Sequence, residues 1–304
     1  MKNNLLKKSG IIVYQIACKL YFMSVGDRMP LVTEFEKELD VSRGTVQNAL
    51  SFLRGKKYIE LIPRGQLGTF IAAIDYNRLQ TEIIKFNIVG VMPFPYLNKK
   101  YLGIATAIYQ AFEDKMSKVT LLYNRGSSNR FKLLEKESVT FVISSKLSAK
   151  AAIKQNRNIK IIKDFGEGTY TTHHVVLAKS KEHLSKPCIR VGIDNESYDQ
   201  KELTLRYIQD KNVKLINISA QKFLSALKND DIDCAIWDYD SIANVASDYY
   251  YEKVSYKDIE VSNAVITVNS SDSFIEKLIN NYLDVNAVKK TIQLVLEDKI
   301  TPVY

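Results

Sequence analysis

Apolar positions recur at helical spacing in the first quarter of the chain and give way to short strand-like runs further on. In "DVSRGTVQNALSFLRGKKY", from Asp40 to Tyr58, the residues Val46, Ala49, Leu50 and Leu53 fall at i, i+3, i+4 and i+7. That spacing predicts an amphipathic helix with one core-facing stripe, and Ser42 stands where a cap would accept a backbone N–H. Upstream, "GDRMPLVTEFEKELD" predicts a turn at Gly26 and Asp27, helix entry at Pro30 and a short helix from about Thr33 to Leu39. Two short helices meeting at Asp40 and Val41 form a helix-turn-helix. Downstream, "YIELIPRGQLGTFIAAI" has strand composition, with Pro63 to Gly68 as a glycine-bearing tip between apolar arms, which makes a wing.

Beyond Asp75 the pattern changes. "YNRLQTEIIKF", residues 76–86, reads as a polar, helix-compatible linker, and "NIVGVMPFPYL" then opens a second domain as a buried strand. Strand and helix now alternate: a helix from about Tyr101 to Lys115, "VTLLYN", a helix around Arg130 to Lys136, "VTFVIS", and a helix after Ser145. The alternation repeats with "IRVGID", a helix from Gln200 to Asp210, "KLINIS", a helix from Ala220 to Lys228 and "DIDCAIWD", while "VSNAVITVN" reads as a return strand. This predicts an α/β class with mostly parallel sheets covered on both faces. The organisation is a winged helix-turn-helix over 1–75, a linker over 76–86 and a two-lobed domain over 87–304, lobe I being about 87–172 and 265–304 and lobe II about 173–264.

A length of 304 residues suits two domains. Runs such as "IIVYQIA" fall well short of the roughly 18 apolar residues a membrane span needs. The N-terminal "MKNNLLKKSGIIVYQIACKLYF" has a basic front but carries Lys19 and lacks a small-residue cleavage site, so a secretory leader is not expected, and cytoplasmic localisation without a membrane partner is. Cys18, Cys188 and Cys234 are odd in number, distant in sequence and without nearby histidines, which fits neither a disulfide framework nor a zinc site. They read as core thiols.

The chain has 43 Lys and Arg against 34 Asp and Glu, of which 11 and 7 fall within residues 1–75. Net charge alone says little about partners, so placement decides. The helix at Ser42 leaves Arg43, Gly44, Thr45, Gln47, Asn48 and Arg54 on its first turn and outer face, types able to read base edges or grip phosphates. Arg64 and Gln66 at the wing tip can reach a neighbouring phosphate or the minor groove. With Pro30, Thr33, Gly65, Gly68 and Thr69 beside them, they form a candidate surface for double-stranded operator DNA. One such helix reads few base pairs, so a homodimer on two half-sites is expected.

In α/β sheets, ligands collect at the carboxyl ends of strands. The residues there are Tyr96; Arg125 and Gly126; Ser144, Ser145 and Lys146; Asp194, Ser197 and Asp199; and Trp237 and Asp238. Arg125 and Lys146 suit a carboxylate or phosphate, the aspartates suit an ammonium group, and Tyr and Trp faces such as Tyr101 and Tyr170 suit the body of a small effector. His173 and His174 stand beside "GTYTT" at the crossover between lobes, and His174 joins the candidate set; His183 lies in a charged stretch. Adjacent strand residues point to opposite faces and no third ligand has suitable spacing, so a metal site is not expected. Asp194 and Asp238 could be imagined as an acid and base pair. No nucleophile elbow, phosphate loop or dinucleotide fingerprint accompanies them, so neither an enzyme nor a cofactor is expected.

The runs "GDRMP", "LDVSRGTVQNALSFL" and "RGQLGTFI" resemble the winged-helix domain of the GntR family of bacterial repressors, and more closely its YhfZ subgroup. The resemblance continues through "MPFPY", "KYLGIATAI", "SSKLSA", "FGEGTYTTHH", "RVGIDNESYDQKELT", "DCAIWD" and "PVY". It implies that Ser42 to Gln47 lie on a recognition helix and that Arg64, Gly65 and Gly68 to Phe70 lie on a wing. It also implies a C-terminal periplasmic-binding-protein-like fold of type 2. The chain departs from the general GntR pattern at Leu31, Val32 and Thr33, where an arginine-containing segment is usual. The expected function is a transcriptional regulator, a repressor, sensing a small polar or anionic metabolite. The alternatives are a cytoplasmic small-molecule-binding or interaction module and, behind it, an enzyme.

Overall fold

The structure, a computed structural model, describes residues 2–84, 88–95, 98–113, 119–155, 158–254 and 260–304. The chain divides into two compact units, one ending at Ile88 and the other beginning at Val89.

The first unit is built on α1 (Lys2–Tyr21), α2 (Val32–Leu39) and α3 (Arg43–Gly55), followed by a hairpin of β1 (Ile59–Pro63) and β2 (Thr69–Ile74), and by α4 (Tyr76–Ile84). The helix α1 has no counterpart in the sequence reading. It forms because Ile12, Ile16 and Leu20 recur every four residues, and that stripe is buried together with Phe35, Val46, Leu50 and Leu53. Each such side chain contributes about 1.5–3 kcal/mol on burial. Asp40 turns the chain between α2 and α3 in the left-handed region at φ 51°, which a short polar side chain tolerates. Residues 76–86 were expected to be a linker, yet α4 is a packed helix. Leu79 and Ile83 are buried at i and i+4, Tyr76 donates its hydroxyl to Met23 O at 2.8 Å, and Tyr58 donates to Glu82 Oε1 at 3.1 Å. Residues 85–87 lie outside the described residues.

The second unit contains two five-stranded sheets. Its elements run β3 (Ile88–Met92), α5 (Lys99–Phe112), β4 (Val119–Tyr123), α6 (Ser127–Glu135), β5 (Phe141–Ser145), α7 (Lys146–Lys154) and β6 (Ile159–Asp164) in the first half. They continue with β7 (His174–Ala178), β8 (Ile189–Ile193), α8 (Tyr198–Tyr207), β9 (Val213–Asn217), α9 (Phe223–Lys228), β10 (Cys234–Asp238) and β11 (Tyr250–Val254), and close with β12 (Ala264–Asn269), α10 (Ser273–Tyr282) and α11 (Val285–Leu296). Lobe I has the strand order β4-β3-β5-β12-β6 and lobe II the order β9-β8-β10-β7-β11. Both therefore follow one plan: second, first and third strands, then the strand that crosses from the other lobe, then the fourth.

Those crossing strands alter the expected sheet. β12 is antiparallel to β5 and β6, and β7 is antiparallel to β10 and β11, while β3–β5, β8–β9 and β8–β10 are parallel. The sheets are mixed rather than mostly parallel because each crossing strand enters its lobe from the opposite end. Alternate residues of β7 serve two cores: Val175 and Leu177 pack with Phe223 and Leu227, and Val176 and Ala178 pack with Val191 and Leu203. Gly103 lets α11 approach α5, since an added Cβ would lie 2.6 Å from Ile292 Cα. Cys18 and Cys234 are buried, but Cys188 is exposed, because it sits in the turn that leads into β8. Among the described residues no helix is long and apolar enough to cross a membrane.

Candidate functional site

Two surfaces collect the candidate residues. On α3 the apolar positions face the core, and Ser42, Arg43, Gly44, Gln47, Asn48 and Arg54 are exposed. Ser42 occupies the cap position but makes no cap bond; its hydroxyl pairs with the half-buried Thr45 hydroxyl at 3.0 Å. Pro30 precedes Leu31, the cap residue of α2, and is half-buried, and Thr33 is exposed on α2. At the wing, Arg64, Gly65 and Gln66 are exposed, with Gly65 at φ 57° and Gly68 at φ 94° turning the tip. The Arg64 guanidinium stacks 4.8 Å above Phe70, which holds it at the wing's face. Gly68 and Thr69 are half-buried, and an added Cβ at Gly68 would lie 2.8 Å from Arg28 Nε, so Arg28 is a basic neighbour the sequence reading missed.

The second surface is the cleft between lobes I and II of the second unit. A cavity of about 120 Å³ is lined by strand-end and helix-start residues of both lobes. From lobe I come Pro93, Phe94, Tyr101, Asn124, Arg125, Gly126, Ser127 and Arg130, and from the crossover Tyr170. Lobe II supplies His174, Asp194, Ser197, Asp199, Gln200, Ala220, Gln221, Trp237, Asp238 and Ser241. Of the sequence-derived set, Tyr101, Arg125, Gly126, Tyr170, His174, Asp194, Ser197, Asp199, Trp237 and Asp238 thus come together, while Tyr96 lies outside the described residues.

Ser144, Ser145 and Lys146 do not reach the cavity. Ser144 is fully buried and donates to Ser145 O. Ser145 caps α7 by accepting from Ser148 N at 3.0 Å, and its hydroxyl donates to Asp199 Oδ1 at 2.7 Å. Lys146 turns to Asp164 and Glu260, at 2.8 Å and 2.5 Å, the acids beside the crossover segments. These are positioning roles, set by opposing acids that neutralise the lysine before any ligand could.

The cleft is closed by bonds between the lobes. Ser145 and Ser148 both donate to Asp199 Oδ1 at 2.7 Å, Tyr198 N donates to Ser127 Oγ at 3.3 Å, and Asn98 Nδ2 donates to Asp238 Oδ2 at 3.2 Å. Gly126, at φ 73°, passes so close to Glu196 that an added Cβ would come within 2.9 Å of its carbonyl carbon.

The carboxylates differ in how they are occupied. Asp194 accepts from Glu196 N at 3.0 Å on one oxygen and from Ala220 N at 2.9 Å on the other, with Arg125 Nη1 at 3.9 Å. Asp238 accepts from the Thr171 hydroxyl and Asp240 N on Oδ1, and from Ser241 and Asn98 on Oδ2. Burial pushes the Asp238 carboxyl above its usual range against those bonds, and burial likewise raises Asp199 against the hydroxyls of Ser145 and Ser148. Burial drops His174 to about 4, so the ring is neutral near pH 7; its Nδ1 has no partner among the described residues.

Arg130 was not among the sequence candidates. It is 3% exposed, donates to Asn124 O at 3.0 Å and to the Tyr170 hydroxyl at 3.2 Å, and leaves Nε without a partner among the described residues. Its signal was present: Ser127, Arg130, Phe131 and Leu134 form the buried stripe of α6, so an arginine occupies a core-facing position. The Tyr170 ring packs against Tyr101 at 5.0 Å. Among the described residues no group of three His, Cys, Asp or Glu side chains is arranged to hold a metal ion.

Comparison with known proteins places both units. Residues 24–71 match a helix-turn-helix domain, and residues 75–304 match the YhfZ C-terminal domain. The YhfZ protein of Escherichia coli strain K12 is 25% identical over 310 residues, covering 100% of both chains. The crystal structure of YhfZ from Shigella flexneri superposes with a TM-score of 0.60 at 24% identity, over 72% of this chain and 93% of that one. The substrate-binding protein of a methionine transporter from Streptococcus pneumoniae superposes with a TM-score of 0.54 at 10% identity, over 72% of this chain and 96% of that one. The second unit thus has the two-lobed fold of periplasmic substrate-binding proteins, joined to a helix-turn-helix. With its family match spanning all of that unit, the chain belongs to the YhfZ C-terminal domain family.

Proposed function

We propose that the protein is a cytoplasmic transcriptional regulator, a GntR-like repressor that binds operator DNA as a homodimer and responds to a small polar or anionic metabolite. The observation that carries this reading is the joining, in one chain, of a helix with an exposed polar face to a cleft closed around buried charged groups. Phosphate contacts from Arg64 and base contacts from Arg43 and Gln47 supply the DNA side. On the other side, a ligand that binds the closed cleft better than the open one shifts the population toward closure. We read the chemistry of the cleft as recognition, in keeping with Asp194 and Asp238 having both oxygens engaged by neighbouring donors.

The test uses duplexes selected from a random-sequence pool by the intact protein. Arg43→Ala is expected to weaken binding to the selected sequence by about 1–3 kcal/mol and to relax its preference. Arg64→Ala is expected to lower affinity on all sequences alike and to flatten the salt dependence. Equal binding of the selected duplex by Arg43→Ala and wild type would remove α3 from the groove and favour a protein-contact role for the helix-turn-helix. Sedimentation of the protein on DNA is expected to give a dimer; a monomer both free and bound contradicts the half-site arrangement.

A further inference from the structure

We propose that the cleft recognises a small zwitterion, with its acid group held by Arg130 and its ammonium group by Asp199. The inference deepens the sensor reading and rests on it. Arg130 is nearly inaccessible, bonds only to neutral oxygens, and keeps an unpartnered Nε. Among the described residues no carboxylate comes within ion-pair distance of it. Asp199 is 7% exposed, and both hydroxyls that reach it end on Oδ1. The two groups border one cavity without touching each other. Buried charges without direct partners are costly, and a dipolar ligand offsets both costs at once.

The neighbours narrow the class. Asp194 and Asp238 already have donors on both oxygens, so Asp199 is the carboxylate left to receive a cation. A phosphate would satisfy Arg130 but stand against these carboxylates, and a simple amine would leave Arg130 unmet. His174, neutral beside them, adds no charge. Phe94, Tyr101 and Trp237 offer apolar faces to the ligand's carbon atoms. A cavity of about 120 Å³ lies below the roughly 300–1,000 Å³ of drug-sized pockets, which limits the ligand to metabolite size.

The chain has one tryptophan, and it lines this cavity, so Trp237 fluorescence reports occupancy directly. The intact protein is titrated with the standard amino acids, β-alanine, γ-aminobutyrate and taurine, and with deaminated and amidated counterparts of each binder. Lactate, glycerol phosphate and inorganic phosphate are run alongside. At least one zwitterion is expected to saturate the signal and raise the melting temperature, with its deaminated counterpart at least about 100-fold weaker. Asp199→Asn keeps the shape and is expected to shrink that difference, whereas a purely structural role would weaken both compounds equally. If Asp199→Asn does not fold, the wild-type comparison decides alone. Tighter binding of lactate or a phosphate than of any zwitterion overturns the class and leaves the sensor reading standing. Failure of every compound to bind overturns both.

Discussion

Gly126→Ala is expected to abolish the response to effector while the protein still binds its operator. The residue lies at φ 73°, where a side chain costs about 1–3 kcal/mol in backbone strain, and its open face meets the Glu196 backbone of the other lobe. An alanine methyl there must push the lobes apart, which removes the bonds from Ser145 and Ser148 to Asp199 and opens the cavity. Ligand affinity should fall by about 100-fold or more, since the variant can no longer reach the closed form at low cost. Gly168→Ala is the control. Its φ of 75° is likewise positive, but an added Cβ meets nothing within 4 Å. Titration of both variants through Trp237 fluorescence checks the expectation: some loss of stability in each, with loss of binding only at Gly126.

Asp233→Asn is expected to give the largest loss of stability, about 2–4 kcal/mol at neutral pH. Asp233 is fully buried, and four donors converge on it. Arg190 N at 2.7 Å and Nε at 3.1 Å reach Oδ2, while Arg190 Nη2 at 2.7 Å and Lys186 Nζ at 2.6 Å reach Oδ1. Burial alone would raise this carboxyl, but the bonds from Arg190 and Lys186 outweigh it and hold the group well below the usual carboxylate range. A group with a lowered folded pKa contributes stability above its unfolded value, about 4, and loses it as pH falls through the folded value. The gap between wild type and Asp233→Asn should therefore be full at pH 7 and narrow progressively below about pH 4. Denaturant melts followed by Trp237 at pH 7 and pH 3 read it within the same lobe, and a gap independent of pH would contradict the ion-pair account.

The sequence carried local structure further than it carried pairing. Val46, Ala49, Leu50 and Leu53 mark α3 because a 3.6-residue period depends only on near neighbours. Runs of strand, helix and strand were legible for a similar reason, since such a run is itself local. The antiparallel β7 and β12 were not legible, because strand direction is decided by partners 56 to 64 residues away for β7 and 119 to 125 for β12. The same holds for β6 and β11, edge strands of mixed polarity such as "YYEKV" that alternate too weakly to stand out. In the site, the strand-end rule reaches Arg125 just past β4, Asp194 directly after β8 and Trp237 in the last residues of β10. It misses Arg130, one helical turn further on, and assigns Lys146 to ligand when its charge is already met by Asp164 and Glu260. A strand end says where a cavity lies, and only the paired charges say what is left for a ligand.

Operator affinity of the intact protein, with and without the compound that most raises its melting temperature, tests the central claim most directly. A regulator whose cleft governs its DNA-binding unit is expected to show a coupling of about 1–3 kcal/mol, a change of roughly 5- to 150-fold in operator affinity, absent in Gly126→Ala. The same operator affinity at zero and saturating ligand would contradict the account, leaving a DNA-binding unit and a binding cleft that share a chain but do not communicate.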